Sequence, residues 1–159
     1  MRMYRSGTPS RWIVALAVLF GTGCGSSSSG PVVEPDPAVE PFVGDWTAAE
    51  FTVTSSADAT QTFDVTDGGS FTINVQPSGF YTAIVDFPDL AVPVVESGQL
   101  SAVGNSITLR PQGGVAATSS YQFEGPDRLI LDGPTEFDFN RDGTLDPANA
   151  HIVLERTGA

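Results

Sequence analysis

The chain has no lysine, one histidine and one cysteine among its 159 residues. A single cysteine, Cys24, cannot close an intramolecular disulfide or build a thiolate metal cluster. A lone histidine, His151, leaves little for general acid–base or nucleophilic chemistry, which needs a positioned base. There is no glycine-rich phosphate loop and no His/Cys metal spacing. Acid pairs such as Asp64 with Asp67 and Asp86 with Asp89 stand beside turn residues, where solvated carboxylates are common. The reading is therefore of a protein that is not an enzyme. All 19 acids follow Cys24, against four arginines there (Arg110, Arg128, Arg141, Arg156), so the net charge after Cys24 is 4 − 19 = −15. Such a surface repels phosphate backbones, which argues against a nucleic-acid partner and against docking on anionic lipid.

Long apolar runs are also missing. The longest, Trp12–Phe20 (WIVALAVLF), has nine residues, too few to span a bilayer as a helix. It follows Arg2, Arg5 and Arg11 and precedes Gly21-Thr22-Gly23-Cys24, which is the order of an export signal, so residues 1–23 are expected to be a signal peptide. The position of Cys24 resembles the lipobox of bacterial lipoproteins, although Gly21 stands where that pattern prefers leucine. The resemblance implies a diacylglycerol on the Cys24 thiol, a membrane anchor of two or three acyl chains, and a place in the cell envelope. Gly25, where an aspartate would signal inner-membrane retention, points to the outer membrane. Residues 24–41, GSSSSG and then PVVEPDPAVEP after the cysteine, read as a tether: a flexible coil followed by extended polyproline.

From Phe42 onward, residues 42–159 suffice for one domain. Helical stripes are absent here too, and apolar residues recur at every second position instead. Phe51/Val53, Phe63/Val65, Phe71/Ile73/Val75, Ile107/Leu109, Tyr121/Phe123, Leu129/Leu131, Phe137/Phe139 and Ile152/Leu154 all follow this rule. Turn residues separate them, among them Asp67-Gly68-Gly69, Pro77-Ser78-Gly79, Gly104-Asn105 and Asp142-Gly143. The pattern predicts an all-β, single antiparallel up-and-down β-barrel of about 8–10 strands, since closure removes exposed edges.

Three stretches resemble bacterial lipocalin-like domains, related to lipocalins and fatty-acid-binding proteins. FVGDWTAAEFTV (42–53) carries the Gly-x-Trp opening in Gly44 and Trp46; SGQLSAVGNSITLRP (97–111) looks like the middle hairpin; HIVLERTG (151–158) looks like the last strand. The resemblance implies that Arg156 lies across Trp46 at the closed end of the barrel, as a structural pair. It also implies carriage or sensing of a small hydrophobic molecule. Phe71, Phe80, Tyr81, Phe87, Tyr121 and Phe123 are the candidate cavity liners, while a filled barrel would use the same residues as core. The filled alternative is a protein-interaction module, such as an envelope-assembly, stress or protease-inhibitor lipoprotein.

One loop has its own chemistry. In FDFNRDGTLD, Asp138, Asn140, Asp142, Thr144 and Asp146 fall at the first, third, fifth, seventh and ninth places of a calcium loop, with Gly143 at the sixth. Asn149 stands at the twelfth place instead of a bidentate glutamate, and Pro147 intrudes, so a structural calcium loop and a plain hairpin turn both remain open.

Overall fold

The computed structural model describes residues 36–88 and 90–158, all within the compact unit Val33–Ala159. The signal peptide, Cys24, most of the tether and Asp89 lie outside the described residues. A short 3-10 turn (Glu40–Phe42) leads into nine strands: β1 (Gly44–Ser55), β2 (Thr62–Asp64), β3 (Ser70–Val75), β4 (Phe80–Asp86), β5 (Val94–Val103), β6 (Ser106–Pro111), β7 (Ala117–Phe123), β8 (Arg128–Phe137) and β9 (Asp146–Arg156).

Every neighbouring pair is antiparallel, and β1 also pairs with β9, which closes the sheet. β2 and β3 both lie on the edge of β1 opposite β9: Thr52–Thr54 pair with β2 and Gly44–Thr47 with β3. Together they are one staff of the barrel, broken at Val65–Gly69, so the architecture is an eight-stranded up-and-down barrel. The break is held by packing. A Cβ on Gly69 would stand 2.2 Å from the Asp86 carbonyl oxygen and 2.5 Å from that of Val65, which no side chain tolerates.

Period two placed the interior correctly along most strands. Phe71, Ile73 and Val75 of β3, Tyr81 and Ala83 of β4, and Leu129 and Leu131 of β8 are all buried. In β1 the strict alternation fails, because Trp46 and Phe51 are an odd number of residues apart and yet both join the core. A bulge between Ala48 and Glu50 supplies the extra residue that returns Phe51 to the inside.

The folded body begins earlier than Phe42. Val39 and Phe42 are each only 1% exposed and belong to the main core. Burying them bends the end of the tether: the Val39 and Glu40 amides donate to the Asp36 carbonyl at 2.9 and 3.3 Å. Residues 36–42 are thus a turn and a 3-10 piece, not the extended polyproline segment expected through Pro41.

Candidate binding site at the barrel mouth

The two ends of the barrel are built differently. At one end lie the start of β1, the turns 76–79, 104–105 and 124–127, and the end of β9. Trp46, 1% exposed, donates its indole N–H to the Phe42 carbonyl at 2.8 Å. The Arg156 guanidinium carbon lies 4.1 Å from the centroid of the Trp46 ring. That guanidinium also donates to the carbonyls of Val43, Pro41 (3.0 Å) and Pro126 (3.3 Å), and its Nε is 3.4 Å from Asp127. Gly44 must be glycine here: its φ is +128°, and a Cβ would meet the Arg156 guanidinium at 2.7 Å. Phe42 packs edge-on against Tyr121, with centroids 4.9 Å apart, and against Phe123 at 5.2 Å.

Behind this floor the interior is packed. The void among Phe42, Trp46, Ile73, Leu100, Leu129 and Leu154 is about 20 Å³, room for one water molecule at most. The structure therefore reassigns five of the six liners expected from sequence. Phe71 and Tyr81 are core, with Phe71 edge-on to Phe51 at 5.5 Å. Tyr121 and Phe123 pack on Phe42 at the floor. Phe80 alternates with the buried Tyr81 and faces outward. Only Phe87 lines a sizeable cavity.

That cavity is a recess of about 670 Å³ at the opposite end, the mouth, lined by Thr62 and Phe63 of β2, Phe87 and Leu90 after β4, and Glu136 to Phe139, Arg141 and Leu145 around the β8–β9 connection. Such a volume is within the usual range for small-molecule sites. Its wall is four phenylalanines: Phe63 stacks on Phe137 with centroids 4.8 Å apart, Phe139 meets Phe137 edge-on at 5.0 Å, and Phe87 lies 6.5 Å from Phe63. Val53, Val65 and Ala148 form the buried layer below them. Phe63, Phe137 and Phe139 were visible in the sequence as strand residues. Their convergence was not, because it depends on the break that separates β2 from β3.

No protein-family model matches the chain, and no curated protein matches it. Among solved structures it is similar to that of EF1p2_mFAP2b bound to DFHBI, with 18% identity, 76% of this chain and 97% of that one covered, and a TM-score of 0.49. It is also similar to a redesigned β-barrel, with 16% identity, coverage of 76% and 96%, and a TM-score of 0.46. Neither likeness reaches a level from which a family or a ligand follows.

Two polar pairs form along the strands. The Tyr81 hydroxyl donates to Glu96 at 2.5 Å, and burial, reinforced by that carboxylate, pushes the phenol well above its ordinary value. His151 and Asp132 face each other across β8 and β9 on the outer surface, with Nδ1 and Oδ1 2.6 Å apart. Both are exposed.

At Asp138, Asn140, Asp142, Thr144 and Asp146, where the sequence leaves a calcium loop and a hairpin turn both open, the structure forms a hydrogen-bonded turn. Asp138 accepts the amides of Asp142 and Gly143 at 3.1 and 2.8 Å, Asn140 accepts that of Asp142 at 2.9 Å, and Asp142 accepts that of Thr144 at 2.8 Å. Asp146 is drawn into β9 opposite Phe137. Among the described residues, no three Asp, Glu, His or Cys side chains come together where a metal ion would fit. Asp138 and Asp142 accept from the loop's own backbone, and the Thr144 amide and hydroxyl hold the Asp142 carboxyl below its usual range.

Proposed function

We propose that this protein is a non-catalytic, exported lipoprotein of the cell envelope, anchored through Cys24 to the outer membrane. Its lipocalin-like barrel holds a small apolar or amphipathic molecule in the mouth. The observation that carries this reading is the recess of about 670 Å³ walled by Phe63, Phe87, Phe137 and Phe139. A packed floor below it means that a ligand is held at the mouth and not swallowed by the barrel. Phenylalanine faces favour a flat or unsaturated apolar group, and Glu136, Asp138 and Arg141 offer polar contacts at the lip.

The test is a fluorescence titration of the mature chain, with Cys24→Ser, against N-phenyl-1-naphthylamine. Saturable binding is expected, weakened about tenfold, or roughly 1.4 kcal/mol, by Phe137→Ser. Wild-type protein with no saturable signal would remove the reading. A second reading, a protein-interaction module, is favoured by the filled interior behind the floor, where only about 20 Å³ is void. It predicts no probe binding and a stable partner recovered by crosslinking in the native envelope.

A further inference from the structure

Among the described residues, the loops of the mouth carry exposed apolar side chains. Leu90 and Val92 in the β4–β5 connection are 51% and 71% exposed, Val115 in the β6–β7 connection is 90% exposed, and Leu145 in the β8–β9 connection is 58% exposed. These three connections lie at the same end of the barrel, and Leu90 and Leu145 also line the recess. Leu90 and Leu145 therefore carry apolar surface from the recess onto its loops, and Val92 and Val115 add exposed apolar side chains at the same end.

We propose that the mouth is a membrane-docking surface, which seats its loop tips in the interfacial layer of a neutral, zwitterionic bilayer so that the recess opens onto lipid. This rests on the envelope location proposed above. Charge selects the lipid: Asp58, Asp86, Glu96, Glu136, Asp138 and Asp142 lie on or beside the mouth loops, against Arg110 and Arg141. That balance repels anionic head groups and leaves apolar insertion as the attraction. Chain length permits the geometry. Residues 25–35 separate Cys24 from Asp36, the first described residue, a reach of up to about 40 Å when extended. The chain enters the barrel at the closed end, and strands of 10–11 residues such as β8 and β9, tilted as in other small barrels, give a height of roughly 25–30 Å. The tether is long enough to let the mouth turn back onto the bilayer that holds the anchor.

The experiment uses the full chain with Cys24→Ser, so that one new cysteine can carry acrylodan, at the mouth (Val92→Cys) or at the closed end (Val103→Cys, where Val103 is 82% exposed). The two variants differ only in where the dye sits, so each reports its own surroundings. With phosphatidylcholine vesicles brominated about 5–10 Å below the head groups, the dye at position 92 should shift to the blue and lose about half its emission. The dye at position 103 should do neither, and adding Leu145→Asp should reduce the response at 92. Equal responses at the two positions, or none at 92, would overturn the proposal. So would a response confined to vesicles of phosphatidylglycerol. Binding of N-phenyl-1-naphthylamine without vesicles is read separately, so a failure of docking is distinguishable from a failure of the recess.

Discussion

The closed end and the mouth use the same side chains to opposite ends. At the floor, Phe42, Tyr121 and Phe123 pack beneath Trp46 and Arg156, and almost no void is left. At the mouth, Phe63, Phe87, Phe137 and Phe139 make comparable ring contacts and are half-buried like Tyr121 and Phe123, but they surround an open recess. Aromatic content therefore does not distinguish core from site in a small barrel. What distinguishes them is whether a second layer covers the rings, and here the 3-10 turn and Arg156 cover one end only.

If that contrast is right, stability should reside at the floor and binding at the mouth. Trp46→Ala removes a fully buried ring and should cost about 3–5 kcal/mol in urea denaturation, a large share of a typical domain's stability. Arg156→Ala loses the cation–π contact and leaves carbonyls of Pro41, Val43 and Pro126 without their donor; a loss of about 2 kcal/mol is expected, with probe binding intact. Phe137→Ala should cost only about 1 kcal/mol, because the ring is half exposed, yet it should abolish most probe binding. Equal losses of stability at Trp46 and Phe137 would dissolve the distinction between the ends.

Smaller effects sharpen it. The Tyr81 phenol is raised in the folded state, so its contribution is complete below the unfolded value near 10.0 and is lost as pH rises beyond it. Urea midpoints should therefore fall between about pH 9 and pH 11, and less steeply in Tyr81→Phe. Asp142 is lowered, so its contribution is present above the unfolded value of 3.8 and fades as pH falls through the folded one. Being fully exposed, it should leave the acid midpoint nearly unchanged in Asp142→Asn. Calcium and chelator should give the same melting temperature; a rise with calcium that Asp142→Ala abolishes would restore a metal loop at 138–146.

The barrel was legible because strand burial is written in alternation, and Phe71/Ile73/Val75 and Leu129/Leu131 carry it cleanly. The bulge at Ala48/Glu50 was not, since nothing in TAAEF marks the extra residue before the strand is paired. Candidate liners failed for a related reason. Alternation says that Phe71, Tyr81, Tyr121 and Phe123 point inward, but whether the inside is full depends on what reaches it from elsewhere, here Val39 from the supposed tether and Phe42 directly after it. The acids of the 138–146 loop gave a ligand pattern, and only the hydrogen bonds revealed that their oxygens turn back on the chain.

The seam between the first and last strands governs when this protein can exist as a folded object. Arg156 bonds to Val43 across 113 residues, and β1 pairs with β9 along nearly its whole length. Such distant pairing makes folding slow and withholds its reward until the final strand has been synthesised. A nascent chain that lacks residues 146–156 has no closed sheet to protect it. Under the export proposed above, such a chain would stay threadable through a secretion channel and reach its compact form only after passage.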